Sequence, residues 1–177
     1  MQLRIPPIET ERLVIRELGA GDAAAVARLG QFGERWLQWT ELSYEQLAGL
    51  MQPPYGDRAV VLRATGQVVG LAGLVPSLGP FGLLPSWPGS GDRLTPEVGL
   101  FYAVDEQHRR QGIAAEAAAA LVGYALGELH LARVVATTER TNLASMGVMR
   151  RLGMTLDENP GTEPPWFQVV GVLAAPG

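Results

Sequence analysis

Two adjacent arginines, Arg109 and Arg110, lie just before Gly112 at the start of an alanine-rich segment. A strand that ends at Val104, this turn and a helix that starts at Gly112 would leave several unpaired backbone N–H groups and the positive end of a helix dipole at one place. Because glycine lets a ligand approach the backbone closely, the turn predicts an anion site that fits a diphosphate. The arginines would add charge at its rim. A generic strand-to-helix turn explains this pattern equally well.

Absent residue types exclude several classes of chemistry. The sequence has no cysteine and no lysine, which excludes thiolate nucleophiles, lysine Schiff bases and an ordinary P-loop nucleotide site. Its two histidines, His108 and His130, are too few for a histidine-rich metal centre, and none of its five serines lies in a G-x-S-x-G elbow. We therefore expect no metal site, assign neither histidine a catalytic role, and expect chemistry based on backbone groups, carboxylates, hydroxyls and a bound cofactor.

Helix and strand patterns alternate along the chain and must position this turn. The predicted strands are 11–18, 58–64, 68–75, 97–104, 132–138, 154–156 and 166–173. The predicted helices are 23–30, 44–51, an alanine-rich helix from Gly112, and 142–153. Strands 58–64 and 68–75 carry the best hairpin signal, and 97–104 is typical of a central strand covered on both faces.

Local signals mark where the first two helices start and stop. Asp22 is the predicted N-cap of the first helix, which ends at Gly30. Ser43 and Gln46 have the spacing of a capping box for the second helix, and the prolines that follow it should terminate it.

Residues 76–96 are rich in proline and glycine, so we expect a long loop there. Long loops inside compact domains are usually functional or mobile, and Phe81 and Trp87 could cover a pocket. A surface insertion with partly buried aromatic side chains is an equally good interpretation.

Length and composition favour a single domain over residues 1–177, because 177 residues with 47% hydrophobic content can bury one substantial core. No stretch reaches the ~18 apolar residues of a membrane span, and the N-terminus lacks the apolar core of a signal peptide. A net charge of −4 without a basic stripe argues against nucleic acid as a partner. We expect a soluble cytoplasmic protein with no membrane partner.

The stretch VDEQHRRQGIA (104–114) resembles the acetyl-CoA-binding signature of the GNAT N-acetyltransferase superfamily, Q/R-x-x-G-x-G/A. Arg109, Gly112 and Ala114 occupy the positions of that pattern. ETERLVIREL (9–18), EVGLFYAV (97–104) and TERTNLASMGVMRRLGM (138–154) are similar to segments of the branch that includes ribosomal-protein alanine N-acetyltransferases. Three motifs in the correct order make the match specific, and it covers almost the whole chain.

The resemblance implies the GNAT fold, an α/β (α+β) architecture. In that fold a mixed, twisted sheet of about seven strands has helices on both faces, and acetyl-CoA lies where two parallel strands part. The cofactor-binding residues implied by the resemblance are Tyr102, Val104, Arg109, Arg110, Gln111, Gly112, Ile113, Ala114, Ala115 and Asn142.

The last long helix departs from the family pattern. Many family members carry a tyrosine there that protonates the leaving thiolate, but Met149 stands at that position and cannot donate a proton. The resembled branch often has a serine one turn earlier, where Ser145 stands, so we expect Ser145 to take this role. A helix serine bonding back to a carbonyl is the alternative. Asn142 could be an N-cap, a contact to the pantetheine arm, or both.

Glu97 is the expected general base, because it opens the central strand and the branch carries glutamate there. A primary amine with a pKa near ~10.4 is protonated at pH 7, so some base must take its proton before attack. The alternative is that Glu97 only pairs with a nearby arginine such as Arg93.

The resemblance implies an acetyl-CoA-dependent N-acetyltransferase in which an amine attacks the acetyl thioester directly in a ternary complex. Two alternatives stay open: a non-catalytic acyl-CoA sensor, and an interaction module that uses the loop around Trp87. The acceptor could be a protein N-terminus or a small-molecule amine, and the acidic balance mildly favours cationic acceptors. The sequence leaves the oligomeric state open, a homodimer included.

Overall fold

The computed structural model describes residues 4–29, 33–85, 87 and 91–176. Eight strands occur among them: β1 (Ile8–Glu9), β2 (Leu13–Glu17), β3 (Gly56–Leu62), β4 (Val68–Gly79), β5 (Thr95–Val104), β6 (Arg133–Thr138), β7 (Thr155–Glu158) and β8 (Val169–Ala174). The helices in the same part of the chain are α1 (Ala23–Arg28), α2 (Glu34–Gly49), α3 (Ile113–Gly127) and α4 (Leu143–Arg151). The strands are hydrogen-bonded in the order β1-β2-β3-β4-β5-β6-β8-β7.

The chain forms two compact units, and each is built from two segments. The first unit comprises residues 1–75 and 101–121, and the second comprises 76–100 and 122–177. The chain passes from one unit to the other within β4, β5 and α3, so the first half of α3 belongs to the first unit.

The first unit is an antiparallel meander covered by helices. Leu13 of β2 lies opposite Leu62 of β3, and β3 pairs in turn with β4, as the hairpin signal predicts. Alternating apolar residues of β2 are fully buried because every second side chain of a strand faces the same way. Leu37 and Tyr44 lie on one face of α2 and are buried, so this helix packs by an amphipathic stripe.

The second unit combines a parallel and several antiparallel pairings. Gly99 of β5 lies beside Val135 of β6 in parallel, and β6 pairs antiparallel with β8, which pairs with β7. Its core includes Phe81, Phe167 and Val135, all with no exposed surface. The mixed sheet with helices confirms the predicted α/β fold class, with eight strands instead of about seven because the short β1 adds an edge.

The predicted start of the second helix is wrong. α2 begins at Glu34, so Ser43 lies inside the helix and donates a hydrogen bond from its hydroxyl to Trp39 O at 2.8 Å instead of capping anything. Its spacing to Gln46 matched a capping box by coincidence, and the amphipathic stripe around Leu37 decided the real start. The expected end of the first helix at Gly30 lies outside the described residues.

The expected loop over 76–96 is shorter than predicted. β4 continues through Gly79 and β5 already begins at Thr95. Gly79 allows this because a Cβ there would lie 2.7 Å from the Phe167 ring. Trp87 is partly buried, as the interpretation of a surface insertion expects, whereas Phe81 is fully buried in the core.

The central strand is less covered than predicted. Gly99 and Leu100 of β5 are buried, but its remaining residues are partly or fully exposed.

No helix in the described ranges is both long and apolar enough to cross a membrane.

Candidate active site

The turn after β5 has the backbone geometry that its glycine predicts. Asp105 caps a short 3-10 turn, with Oδ1 accepting from Gln107 N at 3.1 Å. Arg110 and Gly112 then adopt positive φ angles of 62° and 80°. Residues that have a Cβ rarely adopt this left-handed backbone conformation, whereas glycine adopts it freely. The chain can therefore reverse tightly enough for α3 to start at the next residue.

The first turn of α3 presents backbone donors. Glu116 N donates to Gly112 O at 3.0 Å and closes the first helical turn. The N–H groups of Ile113, Ala114 and Ala115 precede that bond and have no intrahelical acceptor. The side chains of Ile113 and Ala115 are buried, so the donors lie on a backbone fixed by core packing. This is the arrangement that binds anions at helix N-termini.

Two arginines precede these donors in the sequence. Arg109 and Arg110 are both exposed. Arg109 Nε donates to Val104 O at 3.1 Å, which ties the turn back to the end of β5. Gln111 is tied in a similar way, with Nε2 donating to Gln107 O at 3.2 Å. Two local hydrogen bonds therefore hold this turn, and both of its arginines are exposed.

A brace that the sequence did not reveal holds the start of α3. Glu116 accepts from Thr10 Oγ1 at 2.6 Å and from Arg12 Nε at 2.6 Å, and Arg12 Nη1 donates to Gln111 O at 3.0 Å. Burial raises the pKa of Glu116, but the hydrogen bonds from Thr10 and Arg12 outweigh it, so the pKa lies below its usual value. The sequence feature that could have pointed to this brace is Glu116, the single acidic residue in the alanine-rich helix.

A second brace holds the turn at Asp105. Arg28 Nε approaches Asp105 Oδ2 at 3.4 Å, and Asp105 N donates to Val69 O at 2.8 Å. The hydrogen bond from Gln107 N, followed by that from Arg28, lowers the pKa of Asp105. Gly70 lets β4 lie this close, because a Cβ there would lie 2.5 Å from Ala103 O.

Tyr102 and Val104 lie on the last part of β5 and are half-buried. They belong to the same unit as the turn and lead directly into it. His108 also lies there, and its Nδ1 is buried without a hydrogen-bond partner among the described residues. His130 has a positive φ of 53° just after α3 and is exposed.

In the second unit, Asn142 and Ser145 meet at the start of α4. Asn142 is the N-cap, and its Oδ1 accepts from Ser145 N at 3.0 Å. The cap interpretation of Asn142 is confirmed. Met149 is fully buried and lies against β8, where a Cβ on Gly171 would be 3.1 Å from its sulfur. The position at which many family members carry tyrosine therefore serves core packing here.

Glu97, also in the second unit, is held in a two-pronged ion pair with Arg133. Arg133 Nε lies 2.9 Å from Glu97 Oε2, and Nη2 lies 2.5 Å from Oε1. The hydrogen bond from Arg133 to Glu97 raises the pKa of the guanidinium. An arginine partner, which was the alternative interpretation of Glu97, is thus present, but it is Arg133 and not Arg93. No local sequence signal links residues that lie 36 positions apart.

The chain is similar to a known protein family and to one curated relative. Residues 12–155 match the family described as Acetyltransferase (GNAT) domain. The N-acetyltransferase YjdG of Bacillus subtilis (strain 168), itself uncharacterised, is 33% identical over 73 residues. That match covers 41% of this chain and spans 42% of the relative's length.

Solved structures share the fold over almost the whole chain. The acetyltransferase from Agrobacterium tumefaciens str. C58 superimposes with a TM-score of 0.69 and is 25% identical in sequence. The match covers 98% of this chain and 96% of the Agrobacterium chain. RimL, a ribosomal L7/L12 alpha-N-protein acetyltransferase in complex with coenzyme A, has a TM-score of 0.61, 17% identity and coverages of 96% and 98%. With the family match over residues 12–155, these findings confirm the resemblance, and the chain belongs to the GNAT acetyltransferase family.

Proposed function

We propose that this protein transfers an acetyl group from acetyl-CoA to a primary amine by direct attack in a ternary complex. The observation that carries the proposal is the turn at Gly112, where a left-handed glycine leads into the unpaired N–H groups of α3. Backbone donors with arginines at the rim bind a diphosphate without any lysine. The family match supports the same activity.

The residues of the turn fit the cofactor that the family uses. The N–H groups of Ile113, Ala114 and Ala115 would hold the diphosphate, and Arg109 and Arg110 would add positive charge beside it. Acetyl-CoA supplies an acetyl thioester as the electrophile. The further predicted contacts are Tyr102, Val104, Gln111 and Asn142.

Glu97 and Ser145 are the proposed catalytic residues. Glu97 would take the proton that the acceptor amine loses, directly or through water. The amine nitrogen forms the new C–N bond as the C–S bond breaks. The hydroxyl of Ser145 would donate a proton to the leaving thiolate and regain one from water, while Glu97 would release to water the proton that it took from the amine. This route forms no acyl-enzyme, and the absence of cysteine from the sequence agrees with it.

The acceptor is a primary amine on a protein N-terminus or on a small molecule. RimL acts on the N-terminus of a ribosomal protein according to its description, which supports the first class. The net charge of −4 favours cationic acceptors of either class.

The carrying observation is tested by Gly112→Val. A β-branched residue disfavours the positive φ of 80° and brings methyl groups towards the bound phosphates, so acetyl-CoA affinity in calorimetry should fall at least about a hundredfold. Gly66→Val is the matched control, because Gly66 has φ 71° in the β3–β4 turn with open space around it. It should lose similar stability and keep its affinity. Equal affinity in Gly112→Val and wild type would contradict the anion site.

Release of free thiol from acetyl-CoA, measured over a panel of peptides and small amines, tests the reaction itself. We expect amine-dependent release by the wild type. Tight acetyl-CoA binding without release for any amine would favour the sensor alternative, and absence of binding would favour an interaction module.

A further inference from the structure

The Glu97 carboxylate is fixed on both of its oxygens by one side chain. Arg133 approaches Oε2 and Oε1 with two different nitrogens, at 2.9 and 2.5 Å, in the fork geometry that suits a carboxylate. The Glu97 side chain is 10% exposed, whereas that of Arg133 is 43% exposed. The carboxylate is therefore largely shielded from solvent, while the guanidinium that holds it is partly exposed.

Arg133 is itself held by an aromatic ring. Its guanidinium carbon lies 4.3 Å from the centroid of Trp87, a cation–π distance. Trp87 stacks on Phe81 with centroids 5.1 Å apart, and Phe81 meets Phe167 edge-on at 5.2 Å. Since Phe81 and Phe167 have no exposed surface, this series of contacts starts in the core and ends at the carboxylate.

We infer that Arg133, held against Trp87, is the positioning residue for the Glu97 carboxylate, and that Trp87 and Phe81 hold Arg133 in place. The inference rests on the proposed function, in which Glu97 is the base. It assigns a role to Trp87 and Phe81 that a lid over a pocket would not require, because their rings are occupied with each other and with Arg133.

The fork leaves the carboxylate able to act. A carboxylate offers about four acceptor positions, and the two contacts from Arg133 use two of them. The other lone pairs can accept a proton from an amine or a water molecule. Rotation of the carboxylate is blocked, so those lone pairs keep one direction, and misplacement by about 1 Å can cost up to a hundredfold in rate.

A double-mutant cycle tests the positioning role. Arg133→Met keeps an aliphatic side chain but removes the guanidinium, and with it both the fork to Glu97 and the contact with Trp87. It should lower turnover between about tenfold and a hundredfold with an unchanged Michaelis constant for acetyl-CoA. In a Glu97→Gln background the same change should have no further effect on turnover, because Arg133 acts only through Glu97. Trp87→Ala should also lower turnover, whereas Trp87→Phe, which keeps an aromatic ring, should retain most of the wild-type turnover.

Arg151→Met is the matched control, since Arg151 is exposed at the end of α4, and it should leave turnover unchanged. If Arg133→Met and Glu97→Gln lower turnover independently, so that their effects multiply, the inference is wrong. If Arg133→Met lowers only the melting temperature, Arg133 is purely structural and the inference is also wrong. Absence of turnover in the wild type for every amine would overturn the proposed function together with the inference.

Discussion

In the proposed mechanism, the Glu97 carboxylate has to act as a base while it is paired with Arg133. The contacts with Arg133 keep the group in place, and an amine with a pKa near ~10.4 requires roughly 4 to 5 kcal/mol for deprotonation at pH 7. A fixed carboxylate can lower that requirement only if its remaining lone pairs reach the amine or a bridging water.

The pH profile of Glu97→Gln should show whether the Glu97 carboxylate takes the proton of the amine. The change is nearly isosteric and keeps one acceptor for Arg133, so folding should survive. Turnover divided by the Michaelis constant for the amine should fall most at neutral pH and recover partly at high pH, where the amine deprotonates unaided. Glu128→Gln, at an exposed position after α3, should match wild type throughout. A Glu97→Gln profile parallel to wild type would remove Glu97 from the mechanism.

At the scale of the element, Asn142 at the start of α4 is an N-cap in the structure and a proposed contact to the cofactor. Asn142 Oδ1 accepts from Ser145 N at 3.0 Å and satisfies a donor that the helix leaves unpaired. The amide NH2 of Asn142 is a separate group, and a contact to the cofactor would depend on it. The two roles can therefore be separated by chemistry at the same position.

Asn142→Asp should keep the cap and remove the NH2 donor. Its stability should stay near wild type, while the Michaelis constant for acetyl-CoA rises. Asn142→Ala should lose the cap as well, lowering the free energy of unfolding by about 1 kcal/mol. Denaturant titration and steady-state kinetics of both variants measure these effects. An unchanged Michaelis constant in Asn142→Asp would leave Asn142 with the cap alone.

Ser145→Ala provides a contrast on the same helix. It keeps the backbone N–H that Asn142 accepts, so stability and the Michaelis constant for acetyl-CoA should stay close to wild type. Turnover should fall if the hydroxyl protonates the thiolate. Unchanged turnover would give Ser145 a structural role only.

At the scale of the whole molecule, buried and paired carboxylates pull stability in opposite directions with pH. Burial raises the pKa of Asp57 to about 6 from its ordinary value of 3.8, and its Oδ1 has no hydrogen-bond partner among the described residues. Asp22 is the opposite case, because the hydrogen bonds from Arg16 lower its pKa. The folded protein therefore retains the Asp57 proton, and releases the Asp22 proton, more readily than the unfolded chain does.

Asp57→Asn should stabilise the protein at neutral pH. The folded state binds the Asp57 proton more tightly than the unfolded state does. The stability that this proton contributes is therefore present below pH 3.8 and is lost as pH rises through about 6. Removing the charge should raise the free energy of unfolding above pH 6 by about 2 to 3 kcal/mol and leave it nearly unchanged at pH 4. Denaturant titrations at both pH values check this. A constant difference between variant and wild type at all pH values would show that Asp57 does not titrate in this way.

Much of the element order could be predicted because local patterns determine it. The hairpin of β3 and β4, the alanine-rich α3 and the cap at Asn142 depend on neighbouring residues, and each was confirmed. Signals that depended on spacing alone were less reliable. Ser43 had the spacing of a capping box, yet the apolar stripe of α2 extended the helix well before it, because burial of Leu37 outweighs one cap.

The sequence by itself determined the turn at Gly112, since a strand, a left-handed glycine and a helix are all encoded within a short stretch. The tertiary structure alone decided which groups meet across long separations. Arg133 reaches Glu97 from another strand, Arg12 reaches Glu116 across 104 positions, and burial of Asp57 follows from packing. No periodic pattern in the sequence indicates these contacts, because the residue type alone does not reveal whether a charged side chain faces solvent or a distant partner.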